Sequence, residues 1–270
     1  MSNFFHMAEK IYIVKIGGNI LDNEQKLFSF LEDFSRIQEK KVLVHGGGKL
    51  ATQLAVQLGT PQEMIDGRRK TDAATLKIVT MVYAGYINKN LVAQLQFNGC
   101  DAVGICGADG NIIVAHKRQH ASIDYGFAGD IDRIGTDRLN QFIEMGLVPV
   151  IAPITHNGKG QLLNTNADTI AQEIAKALSH RYEVSLVYSF ENKGVLLDVA
   201  DDNSVLSEIW PAYYDQLKAE KKIFAGMIPK IDNAFAALHA GVKQVVIGQA
   251  EQLPQLLTNH AGTKITNEKS

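Results

Sequence analysis

Ile11-Tyr-Ile-Val-Lys-Ile-Gly-Gly-Asn19 is a short apolar run that ends in paired glycines. Val42-Leu-Val-His-Gly-Gly-Gly-Lys49 repeats the pattern. Each reads as a buried strand that turns sharply into a helix. Ala102-Val-Gly-Ile-Cys106, Leu147-Val-Pro-Val-Ile151, Glu183-Val-Ser-Leu-Val-Tyr188 and Gln244-Val-Val-Ile247 continue the strand series. Between them, apolar residues recur at helical spacing: Leu27, Leu31, Phe34 and Ile37, then Ile170, Ile174 and Leu178, then Ile231, Phe235 and Leu238. Strand alternating with helix predicts an α/β fold, a mostly parallel sheet with helices on both faces in an αβα sandwich. A fresh strand follows the helical pattern at Ser179-His-Arg181. The expectation is two lobes, residues 1–180 and 181–270, sharing one sheet.

Composition sets the outer bounds. The chain has 270 residues, 46% hydrophobic and 21% charged, as an ordinary soluble globular protein has. A formal charge of −2 gives no general attraction to nucleic acid or an anionic membrane. No apolar run is long enough to span a bilayer. Met1 to Lys10 lacks the basic start and apolar stretch of a secretory leader, so a cytoplasmic protein is expected. Two cysteines, Cys100 and Cys106, are too few for a disulfide framework or a zinc site, and read as small buried hydrophobes. Ala200-Asp-Asp-Asn-Ser204 reads as a turn or solvated loop.

Several residues look costly for the fold and so mark a site. Lys15 is a lone charge within an apolar strand. Lys230 follows Pro229, which suits a first helical turn, where a cation opposes the helix dipole. Asn164-Thr-Asn166-Ala-Asp168 precedes a helix, and N-capping accounts for only one of its three polar side chains. The glycines after the first two strands bring backbone N–H groups to the carboxyl edge of the sheet, where open α/β folds bind ligands. Gly46 to Ala51 also fits a loose dinucleotide-binding pattern, with Asp66 about 20 residues on, but Leu50 after Lys49 breaks the strict phosphate-loop pattern. Two lysines, a carboxylate and two glycine turns suit phosphoryl transfer, which requires positive groups around a migrating phosphoryl and a positioned acceptor.

Taken in order, Val14-Lys-Ile-Gly-Gly18, Val44-His-Gly-Gly-Gly48, Asp66-Gly-Arg-Arg-Lys-Thr71, Leu163-Asn-Thr-Asn-Ala-Asp168 and Gly226-Met-Ile-Pro-Lys230 resemble the amino-acid kinase superfamily, and within it the N-acetylglutamate kinases of arginine biosynthesis. The likeness runs from about Ile11 to about Thr263. It implies the amino-acid kinase fold and transfer of the ATP γ-phosphoryl to the γ-carboxylate of an N-acyl-L-glutamate. It also implies Mg²⁺ carried by the nucleotide, no metal ligands from the protein, and a homodimer. Lys15, Lys230 and Asp168 match the catalytic set, Asp168 orienting both lysines. Gly47, Gly48, Arg69, Asn164 and Asn166 match the acceptor site. Gly17, Gly18, Glu191, Lys193, Gly194 and Phe224 match the nucleotide site. Ser189-Phe-Glu-Asn-Lys-Gly-Val195 departs from the usual Thr/Ser-Asp-Val-x-Gly-Val segment, with Glu191 opposite the usual aspartate.

The resemblance also carries two finer expectations. Arginine-controlled relatives have an extra N-terminal helix that links dimers into a ring, and the stretch before Ile11 is too short for it. Acetyl-using relatives usually flank the acceptor arginine with apolar residues, whereas Arg68 and Lys70 flank Arg69. A charge turned into the pocket would favour N-succinyl-L-glutamate. Neighbours of Arg69 in an extended segment should instead point away into solvent. The competing readings are another superfamily kinase, acting on aspartate, glutamate, carbamate or UMP, a non-catalytic sensor, and a nicotinamide-dependent oxidoreductase using Gly46 to Gly48.

Overall fold

The structure, a computed structural model, describes residues 8–65, 67–198, 200–223 and 227–269. The expectations placed on Asp66, Phe224 and Gly226, and on the segment ahead of residue 8, lie outside the described residues.

Along the chain come β1 (Lys10–Ile16), α1 (Gly18–Leu21), α2 (Glu24–Ser35), β2 (Lys40–His45) and α3 (Gly48–Gln57). A two-stranded ribbon, β3 (Met64–Ile65) and β4 (Arg68–Arg69), leads to α4 (Ala73–Thr80). A π-helical stretch, Met81–Ile87, joins α4 to α5 (Asn88–Phe97). Then follow β5 (Ala102–Cys106), β6 (Ile113–Lys117), β7 (Gly129–Ile134), α6 (Thr136–Glu144), β8 (Val148–Ala152), β9 (Ile154–His156), β10 (Leu162–Asn164) and α7 (Ala167–Leu178). The remainder is β11 (Glu183–Phe190), β12 (Glu208–Ile209), α8 (Pro211–Ala219), α9 (Ile228–His239), β13 (Gln244–Gln249), α10 (Leu253–Leu257) and β14 (Thr263–Ile265).

Eight strands form one sheet in the order β12-β14-β13-β11-β1-β2-β8-β5. All the expected strands are in it and pair in parallel. The exception is the far edge, where β14 runs antiparallel to β13. A second sheet, β10-β9-β6-β7, starts just past the carboxyl ends of β8 and β5, where β9 follows β8 and Gly107 N–H donates to the Ile154 carbonyl, and β3–β4 form a separate ribbon.

Strand alternation divides the core in two. Ile11 and Ile13 pack with α6, α7, α8 and α9, while Tyr12, Val14 and Ile16 pack with α2 to α5 and α10. Parity therefore sends Lys15 to the α7 side. β1 leads through α2 to β2 on one side, and α7 returns the chain to β11 on the other. Such a reversal leaves a crevice at the carboxyl ends of the strands. The expected helix through Ile37 stops at Ser35. There the buried Lys41 ammonium donates to the carbonyls of Phe34, Ser35 and Ile37 and closes the helix end. Cys100 and Cys106 are free thiols, each pushed up in pKa chiefly by burial.

Candidate active site

Lys15, 8% exposed, projects from the end of β1 toward the first turn of α7. Its Nζ lies 2.7 Å from Asp168 Oδ1. Lys230, in the first turn of α9, places its Nζ 3.5 Å from Asp168 Oδ2 and 4.2 Å from the centre of the Phe190 ring. Because α7 and α9 pack side by side, one carboxylate bridges two ammoniums that converge from a strand and a helix start. Burial pushes the Asp168 carboxyl up, but Lys15 and Lys230 together outweigh it and hold the group below the usual carboxylate range.

The polar triplet ahead of α7 divides its work. Asn166 Oδ1 caps the helix by accepting from the N–H groups of Asp168 and Thr169, at 2.8 and 3.1 Å. Asn164 Nδ2 donates to Thr71 Oγ1 at 3.0 Å. Asp168 is left to the lysines. All three line a cavity of about 260 Å³ with Lys15, Gly47, Gly48 and Arg69.

The glycine turns border this space. Gly17 N–H donates to the Ser189 carbonyl at 3.1 Å, and a Cβ added at Gly17 would stand 3.9 Å from Lys15 Nζ. Gly18 has open space where a Cβ would be. Gly47, at the N-cap of α3, has φ 148°. A Cβ there would come within 2.3 Å of Ile87 Cδ1 and 3.0 Å of the Tyr83 ring, so only glycine fits. Behind this turn the fully buried His45 ring donates from Nδ1 to the Gly46 carbonyl at 2.8 Å and accepts from Asn88 Nδ2 at 3.2 Å. Burial pushes its pKa down to about 4, which keeps the ring neutral.

Arg69, 9% exposed, donates through Nη2 to the Gly48 carbonyl and to Thr52 Oγ1, both at 2.9 Å, and through Nη1 to Gln62. These bonds lock the guanidinium at the start of α3. Lys70 is half-buried like Arg68, but it pairs with Glu63 at 2.7 Å and stays out of the cavity lining, as expected of a neighbour that points away. Arg68 departs from that expectation. It is half-buried and lines the cavity beside Arg118, because the ribbon is drawn over the site. Thr71 N–H donates to the Tyr125 carbonyl at 3.0 Å and Phe127 N–H to the Thr71 carbonyl at 2.6 Å. Sequence patterns did not single out Arg118, Tyr83, Thr52 or Gln62, since each reaches the site only through tertiary pairing.

The remaining expected residues lie in the loop after β11. Glu191 is exposed, and Lys193 stands 4.0 Å from Asp202. Gly194 is packed so closely that a Cβ would lie 2.6 Å from Thr263 Oγ1.

A cationic pair bridged by a carboxylate, framed by glycine turns at the carboxyl edge of an αβα sheet, defines a phosphoryl-transfer class of site. The sequence profile of the Amino acid kinase family matches residues 10–249, and the chain belongs to that family. Relatives named acetylglutamate kinase include that of Cytophaga hutchinsonii, 53% identical over 95% of this chain and 98% of its own. That of Bacteroides thetaiotaomicron is 51% identical over 96% of this chain and 99% of its own. Among solved structures, a Streptococcus mutans protein superposes with a TM-score of 0.78 at 28% identity, over 96% of this chain and 99% of that one. Giardia carbamate kinase, at 13% identity and a TM-score of 0.67 over 97% of this chain and 99% of its own, shares the fold. The chain is a kinase, and the dinucleotide reading of Gly46 to Gly48 falls away.

Proposed function

We propose that the chain phosphorylates the γ-carboxylate of N-acetyl-L-glutamate with ATP, the activity by which its half-identical relatives are named, as a step of arginine biosynthesis. A γ-carboxylate oxygen attacks the γ-phosphorus, the bond from that phosphorus to the β,γ-bridging oxygen breaks, and ADP leaves an acyl phosphate behind. The observation that carries the reading is the Lys15–Asp168–Lys230 bridge. Lys15 meets charge on the migrating phosphoryl from the acceptor side and Lys230 from the nucleotide side, with Asp168 fixing both. Gly47 and Gly48 offer N–H groups to the acceptor. Arg69, with Asn164, grips the α-carboxylate through the donors its protein bonds leave open, and Asn166 borders the acceptor.

The backbone at Gly17 and Gly18 approaches the ATP phosphates. The loop carrying Glu191, Lys193 and Gly194 borders the base, in a lobe of residues 181–270 distinct from the acceptor lobe 1–180. Among the described residues no three His, Cys, Asp or Glu side chains could hold a metal ion. Asp168 is itself engaged by two ammoniums, so Mg²⁺ fits on the nucleotide phosphates, where it neutralises charge. No helix among the described residues is long and apolar enough to cross a membrane, and the reading places the enzyme in the cytoplasm. α3 and the helix from α4 to α5 pack together yet expose Val56, Met81, Tyr86 and Phe97. This is the face on which a homodimer forms.

Hydroxylamine trapping of the acyl phosphate tests the reaction. Hydroxamate should appear with ATP and N-acetyl-L-glutamate, and not with free glutamate or aspartate. No hydroxamate from any N-acylated glutamate would overturn the assignment.

A further inference from the structure

The acceptor cavity holds more positive charge than an N-acetylated glutamate can use. Lys15 faces the reacting carboxylate, and Arg69 sits at the α3 start, where the α-carboxylate belongs. Arg68 and Arg118 line the same cavity on the side of β7. Arg118 donates to Asp130 and lies 5.6 Å from the Tyr125 ring centre. Among the described residues the Arg68 guanidinium makes no hydrogen bond or ion pair. The carboxylate whose field reaches it is Asp130, which Arg118 already engages.

Burial and the adjacent Arg118 guanidinium both act against the charged form of Arg68 and hold it below its ordinary range. Two guanidiniums set against one carboxylate in a cavity wall leave one positive charge to be met by a ligand. The acceptor's shape says which part of it arrives there. The α-carbon of glutamate carries a carboxylate, a side chain and an acylated nitrogen. With Arg69 on the first and Lys15 at the end of the second, the acyl group is the substituent left for the wall of Arg68, Arg118 and Met64.

We propose that this site takes an N-acyl-L-glutamate whose acyl chain itself ends in a carboxylate, bound by Arg68 and Arg118. The inference rests on the reading of the cavity as the acceptor site. Met64, half of whose surface is open, supplies an apolar side for the methylenes between amide and carboxylate. The transferred group and the bond changes stay as above, since the added carboxylate lies away from the phosphoryl.

The test is kcat/KM for N-succinyl-L-glutamate, N-acetyl-L-glutamate and N-butyryl-L-glutamate, the last matching succinyl in length without its charge. Charge-assisted bonding predicts a preference for succinyl over butyryl of roughly ten- to a hundredfold. In Arg68→Ala and Arg118→Ala the succinyl-to-butyryl ratio should fall toward one. Because the ratio in the unmutated enzyme is read first, the proposal does not depend on either variant folding. Acetyl or butyryl turned over as well as succinyl would overturn the proposal while leaving the kinase reading standing. A succinyl preference undiminished in both variants would overturn the assignment to these arginines. Turnover of none of the three would instead overturn the reading on which it rests.

Discussion

The Lys15 ammonium lies 2.7 Å from Asp168 Oδ1, a contact set up by a strand's alternation and a helix cap. Alternation along β1 turns Lys15 to the α7 side of the sheet. The Asn166 cap begins α7 so that Asp168 falls in its first turn.

Asp168→Asn keeps the shape of this contact and removes its charge. Lys15, almost wholly buried, would keep an ammonium without a counter-ion. We expect kcat to fall about a hundredfold and stability to drop by about 1–3 kcal/mol. That is less than the roughly 3–5 kcal/mol for a fully buried pair, since Asp168 stays partly exposed. Turnover and urea denaturation of the same preparation check both. Unchanged kcat would remove Asp168 from the machinery.

Arg69→Lys keeps one positive charge but cannot reach Gly48, Thr52 and Gln62 while still facing the acceptor with a planar fork. The KM for the acylated glutamate should rise about tenfold or more, with the KM for ATP nearly constant. A change confined to ATP would move Arg69 to the nucleotide side.

Gly47→Ala and Gly18→Ala separate packing from ligand approach. At Gly47 the added methyl meets Ile87 Cδ1 at 2.3 Å in backbone that side chains avoid, so about 3 kcal/mol of stability should be lost. At Gly18 the space is open, so the melting temperature should hold while the KM for ATP rises. If Gly47→Ala melts like the parent, the fit described for that turn is wrong.

His45 makes stability acid-sensitive. Its folded pKa is about 4, against about 6.5 for an exposed imidazole. Between those values the unfolded chain binds a proton that the folded chain refuses. Stability is therefore full above about pH 6.5 and falls as pH drops toward about 4, by roughly 3 kcal/mol at most. Asp168 acts lower, contributing stability that is lost only as pH falls through its own depressed value. Urea midpoints at pH 7 and pH 4.5 should differ more for the parent than for His45→Gln. Equal differences would exclude His45 as the cause.

Much of this architecture was legible because its signals are local. Apolar runs ending in glycine located the strands, and Lys15 was conspicuous as a charge in one of them. Pro229 marked a helix start, which placed Lys230 in a first turn. What stayed hidden depends on contacts between distant segments. Arg118 enters the cavity only because β6 and β7 pair and the Thr71 ribbon bonds to Tyr125 and Phe127. The same closure turns Arg68 inward, against the expectation for alternating neighbours. Tyr83 and Ile87 meet Gly47 from a π-helical stretch, which has no short sequence signature. The second sheet, the β3–β4 ribbon, β12 and β14 had no counterpart among the expected strands; apart from β6 and β7 these strands run for only two or three residues, too short to show a period.

The central claim is that Lys15 and Lys230 act together on the phosphoryl in flight, and steady-state kinetics of Lys15→Ala and Lys230→Ala test it most directly. Groups that meet developing charge should lower kcat by about 10²–10³ each, with far smaller changes in either KM. A folded variant of either lysine with near-normal kcat would contradict it.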